Sequence, residues 1–244
     1  MNDFIDVWLV DTSNFLSITD QLQLYLSADE LERVVSFKQK IHGDRHLICR
    51  ANLRIILSKY LKITPEKIVL SYTKKGKPYV NTKNVYFNLS HTDNQVIYAI
   101  SNYLIGVDIE NITKKVNYEQ LAQRFFCFSE YEIIKNAKPE DKPQIFYSFW
   151  TTKEAYLKAI GEGLSGGLNT LELNYNISKD TSTVITPEIS NSWQIQSLKI
   201  NNNYLANIMI KTVQTISLNC NVLSAQNIPH RPNFCITENG LRKF

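Results

Sequence analysis

The short apolar run Val7-Trp8-Leu9-Val10 reads as a first strand. Leu22, Leu24 and Leu26 lead to Ser27-Ala28-Asp29-Glu30, where Ser27 or Asp29 supplies the side-chain oxygen that a helix N-terminus needs. Leu47, Ile48, Ala51, Leu53, Ile55, Ile56 and Leu57 then recur at helical spacing. They predict a helix over about 44–61 that stops before Thr64-Pro65, because a residue preceding proline is pushed out of helical geometry. Strands are expected at 68–72, around Tyr79 and at 85–89, with a basic turn at 73–78, and the runs 95–101 and 104–110 form a hairpin. Phe146, Phe149, Trp150, Leu157 and Ile160 place the apolar face of a further long helix, beginning near Pro143, toward a core.

This order repeats at an offset of about 100 residues. Val7–Val10 aligns with Val107-Asp108-Ile109-Glu110, Asp29-Glu30-Leu31-Glu32 with Ser129-Glu130-Tyr131-Glu132, and the helix containing Arg50 and Arg54 with the one containing Trp150 and Glu154. A strand follows each helix, at 68–72 and at 170–175. The expectation is an α+β protein of two similar halves, 1–103 and 104–244, each an antiparallel sheet packed on helices. The segment 178–192, rich in Ser, Thr and Asn, reads as a loop, and Asn201-Asn202-Asn203 as a hairpin tip.

Composition adds exclusions. With 244 residues, 43% hydrophobic and 20% charged, the chain has the makeup of an ordinary folded protein. No apolar run approaches the roughly 20 residues of a membrane span, and the start lacks the flanks of a signal peptide, so a cytoplasmic protein is expected. Cys49, Cys127, Cys220 and Cys235 are scattered without zinc-ligand or disulfide spacing. The net charge of +4 conceals a partition: residues 1–30 hold six acids and no Lys or Arg, whereas 31–83 hold 13 basic residues against three acids. Such a block suits a polyanionic ligand or an acidic partner, or else lines a solvated helix face.

Three stretches carry candidate chemistry. In Gly106-Val107-Asp108-Ile109-Glu110, alternation puts Asp108 and Glu110 on one side of a strand, with Gly106 leaving room there for something bulky. Oxygen ligands without nearby His or Cys favour a hard ion such as Mg²⁺, and the competing reading is a solvated strand end. Glu154 and Lys158 stand four apart on the edge of the aromatic stripe beside Trp150: either an ordinary helix pair, or a partly buried acid and ammonium that need a ligand. The glycines after that helix match neither a phosphate-binding nor a dinucleotide fingerprint. Asn88-Leu89-Ser90-His91 ends a strand; Ser90 and His91 point apart in extended chain, which argues against a serine hydrolase and leaves a phosphate grip. Lys77 in Gly76-Lys77-Pro78, with Lys38, Lys40, Arg45, Arg50 and Arg54, adds cations.

Together, Gly76-Lys77-Pro78, Phe87-Asn88-Leu89-Ser90-His91, Gly106–Glu110, Arg124-Phe125-Phe126 with Ser129-Glu130-Tyr131, and Trp150-x-x-Lys153-Glu154-Ala155-x-x-Lys158 with Gly161-x-Gly163-Leu164 resemble the 4′-phosphopantetheinyl transferases of the large, pseudo-dimeric Sfp-like type, over residues 40–165. The resemblance implies that fold, with two subdomains related by pseudo-twofold symmetry. It also implies transfer of phosphopantetheine from coenzyme A to a serine of an apo acyl or peptidyl carrier protein, releasing adenosine 3′,5′-bisphosphate. By the same resemblance Asp108, Glu110 and Glu154 are Mg²⁺ ligands, with Mn²⁺ as a substitute, and Glu130 or Glu154 is the base. Lys158 neutralises the departing phosphate, Lys77, Ser90 and His91 contact the coenzyme phosphates, and Lys40 and Arg45 the 3′-phosphate. A monomer without nucleic acid or membrane partners, serving peptide or polyketide synthesis, completes the expectation. A coenzyme A or nucleotide binding module without transferase activity, and a Mg²⁺-dependent pyrophosphate hydrolase, are the alternatives.

Overall fold

In a computed structural model that describes residues 3–215, 217–228, 235–237 and 240–242, the elements run in chain order. They are β1 (Ile5–Asp11), α1 (Thr19–Leu22), α2 (Ala28–Val35), α3 (Lys40–Leu61), β2 (Ser71–Tyr72), β3 (Pro78–Tyr79), β4 (Tyr86–Thr92), β5 (Gln95–Ser101) and β6 (Ile105–Asn111). After these come α4 (Tyr118–Phe125), α5 (Phe128–Asn136), α6 (Lys142–Ile160), β7 (Leu173–Asn176), β8 (Thr181–Val184), α7 (Pro187–Ser190), β9 (Gln194–Ile200), β10 (Tyr204–Ile210), β11 (Leu218–Val222), β12 (Cys235–Thr237) and β13 (Gly240–Arg242). Contacts divide the chain into two compact units, one of residues 1–11 and 68–222, the other of 12–67 and 223–244.

In the larger unit, β11-β1-β5-β4 form one sheet, with β1 parallel to β11 and antiparallel to β5, and β6-β10-β9 form an antiparallel second sheet. Alternation along β6 divides its residues between two cores. Ile105, Val107 and Ile109 join Ala206, Ile208 and Ile210 of β10 against Ile5, Val7, Ile97 and Ala99 of the first sheet. Gly106, by contrast, meets α6, where a Cβ would lie 2.0 Å from the Ala155 carbonyl oxygen and 2.6 Å from the Ala159 nitrogen. Leu205 and Met209 of β10 pack with Phe146, Phe149, Ala155, Leu157 and Ala159 of α6 in the second core. The room anticipated at Gly106 is thus taken by a helix backbone. Ile160, expected in the core, is 39% exposed at the last turn of α6, which ends at Gly161 with φ 78°.

β4 and β6, edges of the two sheets, are joined by side chains. Asn88 Oδ1 accepts from the Val107 N–H at 2.9 Å, the Ser90 hydroxyl donates to Asp108 Oδ1 at 2.7 Å, and the Thr92 hydroxyl to Glu110 Oε2 at 3.3 Å. In the smaller unit, α3 buries Leu47, Ile48, Leu53, Ile56 and Leu57 and begins four residues earlier than expected, at Lys40. The strand anticipated at 68–72 is only Ser71–Tyr72, Ile68 being buried and Val69 exposed. Within 178–192, expected as a loop, lie β8 and α7. Cys49, Cys127 and Cys220 are free thiols, and the side chain of Cys235 lies outside the described residues. Among the described residues no helix is long and apolar enough to cross a membrane.

Candidate active site

The close approach at Gly106 brings one turn of α6 onto β6, and with it Glu154 and Lys158 to the neighbourhood of Asp108. Lys158 Nζ donates to Asp108 Oδ1 at 2.5 Å and to the Ser90 hydroxyl at 2.8 Å. Asp108 is 4% exposed, and its second oxygen, Oδ2, is buried without a hydrogen-bond partner. A buried carboxylate oxygen left unpaired is costly, so a cationic or donor group belongs there. Glu110 is half-buried; burial and then the charge of Asp108 push its carboxyl above the usual carboxylate range. Glu154 is pushed up to about 7, first by burial, then by Asp108, against the pull of Lys158. Three acids therefore crowd the Lys158 ammonium, with Lys114 adding its charge on the Glu110 side. Among the described residues, no three His, Cys, Asp or Glu side chains stand close enough to hold a metal ion by themselves. A hard ion that takes one or two carboxylates and completes its shell with phosphate oxygens and water suits such an open set.

Other expected site residues lie elsewhere. Glu130 is fully buried: Oε2 accepts from the Cys127 N–H at 2.8 Å, and Oε1 takes the Lys153 ammonium at 2.8 Å and the Leu173 N–H at 2.8 Å. Burial pushes its carboxyl upward and Lys153 pulls it back. Both oxygens are committed to holding α5, α6 and β7 together, so Glu130 is not gathered with Asp108 and Glu154. His91 is exposed on the face of β4 opposite Ser90. Lys77 donates to the Ala159 carbonyl oxygen at 2.6 Å, capping α6, and burial lowers its pKa to about 8. Lys40 is exposed and paired with Asp44 at 2.7 Å, and Arg45 is half-buried on the same helix. Within the basic block, Arg54 is buried against Glu30 at 2.7 Å, which turns part of that charge to structural use. The Arg124 guanidinium lies 4.9 Å above the Phe125 ring, and Phe126 stacks on Phe146 in the core.

Sequence reasoning missed Lys153 as the buried partner of Glu130, and it missed Asn207, a single polar residue in the apolar run of β10. The spacing Cys127-x-x-Glu130 was the available signal for the first, since an acid three residues past a helix start completes a capping box.

This arrangement can set a cation against substrate oxygens and move a proton at Glu154, the chemistry of a group-transfer enzyme. Comparison with known proteins makes the class specific. The profile of the 4′-phosphopantetheinyl transferase superfamily matches residues 104–209, and that of the 4′-phosphopantetheinyl transferase N-terminal domain residues 7–102. The 4′-phosphopantetheinyl transferase HetI of Nostoc sp. strain PCC 7120 is 32% identical over 216 residues, covering 86% of this chain and 89% of that protein. The 4′-phosphopantetheinyl transferase gsp of Aneurinibacillus migulanus is 27% identical, covering 91% and 92%. Sfp of Bacillus subtilis strain 168 is 26% identical, covering 76% and 82%. The chain belongs to the 4′-phosphopantetheinyl transferase family, in its Sfp-like branch.

Proposed function

We propose that the chain transfers the 4′-phosphopantetheine group of coenzyme A to a serine hydroxyl of an apo carrier protein. Family membership supports the activity, and one observation carries the site: buried Asp108, with Oδ1 held by Lys158 and Ser90 and Oδ2 unpartnered, between two carboxyls that burial has raised. An all-oxygen donor set with an orphaned buried oxygen fits a hard divalent ion. Asp108, Glu110 and Glu154 would hold Mg²⁺, or Mn²⁺ in its place, and the bound ion would supply positive charge against the coenzyme pyrophosphate.

In this reading the carrier serine oxygen attacks the pantetheine-side phosphorus, and the bond from that phosphorus to the oxygen bridging the two phosphates breaks. Adenosine 3′,5′-bisphosphate leaves. Glu154, half-buried, accepts the serine proton directly or through a water, with the carboxylate oxygen it does not give to the ion. Lys158 donates to the oxygen that gains charge. Ser90, Lys77 and His91 contact the coenzyme phosphates, and Lys40 and Arg45 the 3′-phosphate. A monomer acting in the cytoplasm on acyl or peptidyl carriers, with halves 1–103 and 104–244 descended from one duplication, belongs to the same proposal.

The test incubates the chain with coenzyme A, Mg²⁺ and an apo carrier protein, and reads the carrier by mass spectrometry for a gain of about 340 Da, the group this transfer adds. Carrier-independent cleavage of coenzyme A would instead mark a hydrolase. Tight coenzyme binding with no gain on several carriers would mark a binding module.

A further inference from the structure

The face of β10 that packs on α6 is apolar except at one position. Asn207 is fully buried between Leu205 and Met209, two residues that join the core under that helix. In the β6–β10 register it stands directly opposite Asp108. Its amide donates to the Ser148 carbonyl oxygen at 3.2 Å and to the Thr151 hydroxyl at 2.7 Å, and its carbonyl accepts from the Ser197 hydroxyl of β9 at 2.6 Å. The Thr151 hydroxyl itself donates to the Tyr147 carbonyl at 2.7 Å, and Thr152 donates to the Ser148 carbonyl at 2.7 Å. The Ser148 hydroxyl pairs with that of Ser182 at 2.7 Å. A polar belt, buried except at its Ser197 end, thus crosses from β9 through β10 to α6 and β8.

Leucine would fill such a place at no desolvation cost, so the belt's distinctive property is direction: it bonds α6 in one register only. Slipping a helix by one residue moves it about 1.5 Å and turns it ~100°. A Lys158–Asp108 contact of 2.5 Å does not survive that. We propose that Asn207 is a positioning residue for transfer: through Thr151 and the Ser148 carbonyl it sets the register of α6, and so the placement of Glu154 and Lys158 beside Asp108. This rests on the function proposed above for those three residues.

The test compares Thr151→Val, which keeps shape and loses the hydroxyl, with Thr151→Ser, which keeps the hydroxyl, and adds the double variant Asn207→Leu/Thr151→Val. The double variant removes both ends of the Asn207–Thr151 bond, the exposed Ser197 hydroxyl turns to water and the Ser148 carbonyl keeps its bond from Thr152, so the cost in stability is small and loss of fold and loss of register separate. For the double variant kcat falls about 100-fold, as a displacement near 1 Å allows, while KM for the apo carrier protein changes by less than about twofold. Thr151→Val falls by about tenfold and Thr151→Ser stays within about twofold of the parent. A crystal structure of the double variant gives a readout without turnover: α6 displaced and the Lys158–Asp108 contact broken. An unmoved α6 with that contact intact, or equal kcat for Thr151→Val and Thr151→Ser, overturns the proposal. If the parent chain itself transfers nothing, the proposed function fails, and the crystallographic arm still decides whether Asn207 sets the register.

Discussion

Two regions of the chain use the same latch. At α2, Glu30 accepts from the Ser27 N–H at 3.1 Å and pairs with Arg54 of α3, which also donates to the Pro65 carbonyl at 3.0 Å. At α5, Glu130 accepts from the Cys127 N–H and pairs with Lys153 of α6, which also donates to the Leu168 carbonyl at 2.9 Å and to the Leu171 carbonyl. Each is a capping-box acid tied to a buried cation on the next long helix, which in turn fixes the segment that follows it. They differ in completeness. Glu30 Oε1 is buried without a hydrogen bond, with Arg50 at 3.8 Å, whereas both oxygens of Glu130 are satisfied. Beyond the latch the helices diverge: one residue after Arg54 stands buried Ile55, and one after Lys153 stands Glu154. The fully satisfied latch belongs to the helix that carries the candidate acid and base, as expected where side chains must be held to a fraction of an ångström.

Making the second region like the first gives the largest effect. Glu154→Ile should lower transfer by about 10³ or more, read as kcat with an apo carrier. It should also raise stability above pH 7. A carboxyl whose folded pKa lies above its unfolded value loses stability as pH rises through that window, here from about 4.5 to about 7, and the isoleucine has nothing to lose. Unchanged transfer would erase the functional difference between the helices. Gly106→Ala pushes a Cβ into the Ala155 carbonyl and should lower kcat by about 10²; the parent rate would mean that α6 has room to shift harmlessly.

Lys153→Met strands the buried Glu130 charge and should cost about 3–5 kcal/mol in urea unfolding. Arg54→Met should cost less, because Arg50 remains near Glu30. The reverse order would show the two latches to be built on different balances. The smallest effect concerns Lys77, whose pKa of about 8 records the burial of its ammonium. Below pH 8 the fold carries that cost; as pH climbs toward 10.5 the folded amine sheds its proton first, so the parent should gain melting temperature relative to Lys77→Met. The opposite slope would show the cation to be stabilised in the fold.

Much of this was legible. Strand alternation paired Asp108 with Glu110, helical spacing found α3 and α6, and the 100-residue offset aligned Asp29-Glu30-Leu31-Glu32 with Ser129-Glu130-Tyr131-Glu132. On the helices the latch cations are 99 apart, not 100, so aligning Arg54 with Glu154 hid its match to Lys153. A missing side chain at Gly106 reads from sequence as space, and only packing reveals that a helix backbone fills it. Nothing local to an acid such as Glu130 says which partners its oxygens have. Asn207 depends on three residues of two other elements, Ser197 of β9 and Ser148 and Thr151 of α6 more than 50 residues earlier, and no local pattern encodes such a belt.

The seam between β4 and β6 has a consequence for how such a protein can change. A backbone ladder is nearly blind to which residues compose it, so mutation tunes it poorly. Here the joint is made by Asn88, Ser90 and Thr92, and two of those three rungs end on Asp108 and Glu110. The border between the sheets is therefore spelled out in side chains, open to revision one codon at a time, and a lineage that edits it edits the candidate active site in the same stroke.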